Sequence, residues 1–293
     1  MNRRTFLKSS AVAGLGGLAL FNAGCAESQD YAVEEATSEA APAARALERI
    51  GVQLYTVRSI LENDFVAGIE QVAAIGYNEV EFAGYYDHSP ADVRALLDRV
   101  GLTAPAVHVG IDILRDNLDG VLEAAQIVGH QYVVCPYLAE DQRTLDHYKQ
   151  HAAFFNEVGQ KCKEAGIQFA YHNHDFEFFE TDGQIPFDVL LAETDADLVK
   201  MELDLFWIKK GGHDALTYFQ NHPGRFPLCH VKDMAGDAEG TMTPVGKGTI
   251  DFGSIFAQSE QAGLVHYFVE HDHPDDPMQS ITDGYAHLKA LRF

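Results

Sequence analysis

Residues 171–178 read YHNHDFEF: two histidines, an asparagine, an aspartate and a glutamate within eight positions. They follow IQFA, an apolar run whose composition suits a buried strand. Imidazole nitrogens and carboxylate oxygens are donors for divalent ions, and they also move protons near neutral pH. The same chemistry recurs at the ends of other apolar runs. VKMELD ends in Asp204, PLCHV carries His230 with Lys232 two residues on, and HYFVE ends in Glu270. Earlier runs end at or near Gln53 and Tyr55, Glu81, and His108. Side chains two apart on a strand share a face, so His172 and His174 pair in direction, as do His230 and Lys232. One polar strand end is ordinarily a cap or a solvated rim. Four from consecutive strands point to a mixed nitrogen and oxygen site for a divalent metal.

Such residues converge only if the elements carrying them do. From residue 47 onward short β-like runs recur at 49–55, 79–82, 103–110, 131–137, 167–172, 199–204, 227–231 and 266–270. Helical patterns lie between them, among them FVAGIEQVAAIG, ADVRALLDRVG and LDGVLEAAQIVG, each closing on a glycine stop. Eight strands alternating with helices predict an α/β fold, a (β/α)8 TIM barrel over 47–293. A doubly wound open sheet is the alternative, but no GxGxxG follows the first strand. In a barrel the C-terminal strand ends form the active face, which is where the candidate residues fall.

The N-terminus reads differently. Arg3 and Arg4 precede the small apolar run AVAGLGGLALF and then AGC, ending at Cys25. Paired arginines, a short apolar core and a small-residue exit predict a twin-arginine export signal over 1–24. AGC resembles the end of a lipobox, so Cys25 is a candidate lipid anchor and the membrane contact would be that anchor alone. Residues 25–46, rich in Ala, Glu and Ser, predict a short disordered tether. The expected location is periplasmic or membrane-anchored on a bacterium. Beyond Cys25, Cys135, Cys162 and Cys229 stand at no metal-binding spacing and read as buried hydrophobes.

The 293-residue chain carries 21 basic and 44 acidic residues, a formal charge of −23. An extended nucleic-acid surface needs a basic stripe, and this balance argues against one. A homo-oligomer is compatible with the sequence and not required by it.

GVQLYTVR (51–58), GYNEVEF (76–82), YHNHDFEF, MELDLFW (201–207), CHVKDM (229–234), VGKGTIDF (245–252) and FVEHD (268–272) resemble the sugar phosphate isomerase/epimerase group of xylose-isomerase-like barrels. The resemblance covers essentially all of 47–293. It implies one divalent ion, Mn, Mg, Co or Zn, held at the ends of strands five to eight, with Asp204, His230 and Glu270 matching strands six, seven and eight. Strand five departs from the pattern. Many ketose epimerases of the group have glutamate there, and this chain has His172, with His174 and Glu177 as rivals.

The expected reaction is metal-assisted proton abstraction from a free or glycosidic keto-sugar, by an isomerase or epimerase. A 3-keto-glycoside lyase or hydrolase, or a dehydratase, is the alternative on the same site. Glu270 is the candidate base, Lys232 an oxyanion or proton partner, and Glu177 a second carboxylate if its loop folds back. An ion pair of Lys232 with Asp233 or Glu202 is the bland alternative. Candidate substrate contacts are Gln53, Tyr55, Glu81, His108, His174, Trp207 and Lys247. Two rivals stand. Endonuclease IV shares the barrel but needs several zinc ions and DNA. A non-catalytic sugar-binding lipoprotein would use Tyr85, Tyr86, Tyr137, Phe178 and Trp207 for stacking instead.

Overall fold

The computed structural model describes residues 44–293. The export signal, Cys25 and nearly all of the tether lie outside the described residues. Eight parallel strands close into a barrel: Gly51–Gln53, Glu79–Phe82, Thr103–His108, Tyr132–Cys135, Gln168–His172, Val199–Asp204, Leu228–Val231 and His266–Val269. They are numbered one to eight here. Each pairs with its sequence neighbours, and strand one closes the ring on strand eight with Gly51 opposite Phe268. This is the (β/α)8 barrel that the periodicity predicts, with every strand inside its expected run. No helix among the described residues is long and apolar enough to cross a membrane.

The helices begin and end where local chemistry dictates. Asp64, Ser89, Thr144, Asp204, Asp214, Asp251 and Asp276 each accept a hydrogen bond from a first-turn N–H. Gly76, Gly101 and Gly129 end helices in the left-handed region that glycine favours. The helices' apolar faces and the outward faces of the strands form one continuous core.

The barrel interior is layered, because alternate strand residues point inward. Ala106, Val134, Ala170, Leu228 and Phe268 form an apolar plug across the middle. Gly51 belongs to this layer, since a Cβ there would overlap the Phe268 ring. Below the plug lie Glu79 and His266, 2.8 Å apart. Above it come Gln53, Glu81, His108, Glu202 and His230, and then His172, Asp204, Lys232 and Glu270 toward the C-terminal mouth. The plug isolates the polar upper half, so its charges must be balanced from within.

At the other end, Arg45 pairs with Phe293 through both backbone groups, and its guanidinium donates to the Ala257 carbonyl. Arg45 therefore sits near the start of strand one, opposite the mouth.

His130 ties strand three to the loop after strand two. Its Nδ1 lies 2.6 Å from the Ala104 carbonyl and its Nε2 2.8 Å from the Tyr85 hydroxyl. Burial drives its pKa down to about 4, outweighing the Ala104 bond. The unfolded chain takes up this proton near pH 6.5 and the folded chain only near 4. His130 therefore contributes stability above pH 6.5 that is lost as the pH falls toward 4, about 3 kcal/mol in full. Urea unfolding at pH 7 and 4.5 should show His130→Gln losing less stability between the two pH values than the unmodified chain. Equal losses would assign the acid sensitivity elsewhere.

Candidate active site

Four strand ends bring one donor atom each to a single point. His172 Nε2, Asp204 Oδ2, His230 Nδ1 and Glu270 Oε2 all lie within 4.8 Å of one another. Strand parity places each of them, and fixed partners aim each of them. His172 sets its Nδ1 3.2 Å from the Pro136 carbonyl. A carbonyl only accepts, so Nδ1 carries the proton and Nε2 keeps its lone pair for the site. Asp204 spends Oδ1 on the N–H groups of Phe206 and Trp207, capping the next helix, while its own N–H donates to Asn173. Only its Oδ2 is left for the site.

Beneath the quartet lies a second polar layer. His230 Nε2 is 2.7 Å from Glu81 Oε2 and 3.2 Å from Glu202 Oε2. His108 Nε2 sits 2.7 Å from Glu202 and 3.4 Å from Glu81. Gln53 donates to Glu81 at 2.8 Å. With Nε2–H held by two carboxylates, Nδ1 is the nitrogen His230 can offer upward, the arrangement that orients metal-binding histidines.

The electrostatics follow the packing. Burial alone would keep His230 neutral, but Glu202 and Glu270 overcome it and raise its pKa well above the ordinary range. Burial and then Glu202 push Glu81 up to about 7. Burial would also discharge Lys232, yet Asp204, Glu270 and Asp272 hold it firmly as an ammonium. Glu270 is kept ionised against its burial by Lys232 and His230. His174 is neutral, pushed to about 2 by burial and by His172.

The site opens into a cavity of about 430 Å³ lined by Tyr55, His108, Tyr137, His172, His174 and Lys232, with Glu270, Asp272 and His273 completing its wall. Lys232 Nζ lies 3.0 Å from Asp204 Oδ2, 2.9 Å from Glu270 Oε2 and 2.7 Å from Asp272 Oδ1. Neither Asp233 nor Glu202, the partners of the alternative ion pair, meets it; three other carboxylates do.

Several expected roles do not fit this geometry. Glu177 does not fold back to the mouth. It is fully buried behind strand five, where its carboxylate accepts from the Tyr171 hydroxyl and, at 2.8 Å, from the His174 N–H. It braces the YHNH turn. Lys247 is exposed and paired with Asp283 on the last helix, away from the cavity lining. Its GKG loop wraps the Asp233 carboxylate, which accepts from the N–H groups of Met234, Gly246, Gly248 and Ile250. Gln53 and Glu81 are fully buried in the lower layer, so neither reaches a substrate directly. Tyr55, His108 and His174 do line the cavity. Trp207 stands behind it, 5.4 Å from the His174 ring and 5.8 Å from Lys232 Nζ. Of the aromatics a passive sugar binder would use, Phe178 is buried, Tyr85 is bound to His130 and Tyr86 packs on Phe65. Tyr137 alone among these five lines the cavity.

Asp272, His273 and Arg58 were not singled out from sequence as site residues. Arg58 stacks on Tyr55, donates to the Asp272 carbonyl at 2.8 Å and lies 3.1 Å from His273 Nδ1, bracing the cavity rim. Glu202 had a signal that parity would have read, since it lies two residues before Asp204 on the same inward face.

The quartet passes a test for a divalent ion. His230 Nδ1 and Glu270 Oε2 are buried, only 2.6 Å apart, and neither has an aligned hydrogen-bond partner. Two imidazoles and two carboxylates are also a donor set that Zn, Co or Mn accepts, once His230 gives up its Nδ1 proton to the entering ion.

Residues 69–291 match the family described as xylose isomerase-like TIM barrel. The chain belongs to that family. It is 28% identical over 269 residues to an inosose dehydratase of Lacticaseibacillus casei, a match covering 79% of this chain and 89% of the relative. A crystal structure of a sugar phosphate isomerase/epimerase from Parabacteroides distasonis superposes with a TM-score of 0.70 at 26% identity, covering 86% of this chain and 97% of that one. The IOLI protein, whose crystal structure holds a zinc atom, shares the fold with a TM-score of 0.65 at 17% identity over 81% of this chain and 95% of its own.

Proposed function

We propose that this chain is a non-redox carbohydrate enzyme that removes a proton beside the carbonyl of a keto-sugar or keto-glycoside and completes a β-elimination, as a dehydratase or lyase does. The observation that carries this reading is where the carboxylates of the mouth stand: Glu270 and Asp272 lie together on Lys232, and Glu177, from the loop after strand five, is not among them. A two-base epimerase needs a second carboxylate facing Glu270 across the substrate. The candidate for that role, Glu177, is bonded to Tyr171 and His174 behind strand five. Elimination needs one base and one proton donor. The inosose dehydratases among the relatives agree with this direction.

His172, Asp204, His230 and Glu270 would hold one divalent ion. Bound there, the ion would polarise the substrate carbonyl or a neighbouring hydroxyl and acidify the adjacent C–H. Glu270 offers one oxygen to the quartet and has a second for taking the proton. Lys232 stays an ammonium and stabilises negative charge growing on the substrate oxygen. As the C–H electron pair becomes the new double bond, the C–O bond one carbon on breaks. The departing oxygen takes a proton from the rim, where His273 stands. Tyr55 and Tyr137 give the sugar ring apolar walls.

The cavity also speaks to substrate charge. Among the described residues lining it, Lys232 is the sole lysine or arginine, and three carboxylates already occupy it. A phosphate would find no free anchor, so a free or glycosidic sugar fits better than a phosphorylated one. Export and anchoring at Cys25 belong to the same proposal.

The test is proton NMR in D2O with inososes and 3-keto-glycosides plus Mn, Co or Zn. Elimination gives loss of water or aglycone with an enone absorbing in the ultraviolet. Solvent deuterium at the carbon beside the carbonyl, with the leaving group retained, would return the site to an isomerase or epimerase.

A further inference from the structure

Lys232 occupies an unusual place for a lysine. Its side chain is 2% exposed, and its nitrogen touches the same two oxygens, Asp204 Oδ2 and Glu270 Oε2, that the divalent quartet would use. Asp204 has no alternative, because Oδ1 is committed to the helix cap. The ammonium and a divalent ion therefore compete for one pair of oxygens, and two cations sharing them repel strongly in so buried a site. A third partner resolves the conflict. Asp272 Oδ1 lies 2.7 Å from Lys232 Nζ, is not one of the quartet, and lies on the cavity wall. Four rotatable bonds let the ammonium turn from one set to the other without leaving carboxylate contact.

We infer that Lys232 is a built-in counter-ion that neutralises Asp204 and Glu270 in the ion-free chain and swings onto Asp272 when a divalent ion enters, placing its ammonium at the cavity wall. The inference rests on the divalent site proposed above. It gives Lys232 a purpose besides meeting substrate charge: it keeps the closely packed carboxylates from repelling one another until the ion arrives. It also lowers the site's affinity, since part of each ion's binding energy goes into displacing the ammonium. Asp272 sets how much, because it is where the charge goes. Asp272 is thus a positioning residue for Lys232.

The experiment measures Zn and Co affinity of the full chain by chelator competition at constant pH, for the unmodified chain, Lys232→Met, Asp272→Asn and the double variant. Lys232→Met should bind at least about tenfold more tightly, although a residue of the site has been removed. Asp272→Asn should bind more weakly, and most of that loss should vanish when Lys232 is already Met. The ion-free Lys232→Met chain should melt lower and gain more on adding Zn than the unmodified chain does. If Lys232→Met will not fold without an ion, Lys232→Gln, which keeps a polar head, is measured the same way. Lys232 variants that bind Zn no more tightly than the unmodified chain, or an Asp272→Asn effect unchanged in the double variant, overturn the inference while leaving the divalent site standing. Failure of all four chains to bind either ion overturns both.

Discussion

Glu270→Gln should lower turnover by about 10²–10⁴-fold while the chain stays folded and keeps a divalent ion, though less tightly. The amide preserves the shape of the side chain and one acceptor oxygen, so His230 and Lys232 keep a neighbour. What disappears is the capacity to take a proton. Glu270 suits that role because Lys232 and His230 hold it ionised although it is buried. The fall should lie in kcat, with KM altered far less, because the proton moves only in the reacting complex. Solvent deuterium exchange at the substrate carbon should fall in parallel. Turnover surviving within about tenfold would move the base elsewhere on the cavity wall, Asp272 first.

His230→Ala should be among the most destabilising single changes in the upper half of the barrel, about 3–5 kcal/mol by urea unfolding. His230 stands between Glu81 and Glu202 below and Asp204 and Glu270 above, within 3.8 Å of all four. Removing it leaves four buried carboxylates with only His108 and Lys232 to balance them, and opens a hole in a packed layer. The loss should shrink at low pH, because Glu81, already raised to about 7, and then its neighbours can protonate and shed their charge. A loss below about 1 kcal/mol would mean that these charges are solvated, contrary to their burial. His266, which meets Glu79 below the apolar plug, is the natural comparison, since His266→Ala removes a similar partner far from the mouth.

The frame of the site was legible because two periodicities fix it. Period-two runs located all eight strands, and parity within VKMELD, PLCHV and HYFVE put Asp204, His230 and Glu270 inward at one end. The same parity carries one step down to Glu202, which lies between Asp204 and the barrel floor. Loops obey no such rule. Glu177 sits five residues past His172, and a 3-10 turn over Phe176–Phe178 carries it behind the strand to Tyr171. Lys247 looked placed for a substrate because it is flanked by glycines, but those glycines serve Asp233, whose carboxylate organises the loop from fourteen positions away. Asp272 and Arg58 meet across more than two hundred residues, a contact that barrel closure alone creates. Strand ends can be read from a chain; the loops that complete a site depend on what they fold onto.

The most direct test of the account is the divalent metal content of the chain, by elemental mass spectrometry, beside an Asp204→Ala variant. Asp204 is the sharpest choice, because His172, His230 and Lys232 all converge on its one free oxygen. The account predicts about one Mn, Co or Zn per chain after purification or reconstitution, and little or none in the variant. Equal metal in both would place the ion elsewhere. No metal in either, after reconstitution with each ion, would contradict the proposed chemistry and leave a barrel that binds sugars without transforming them.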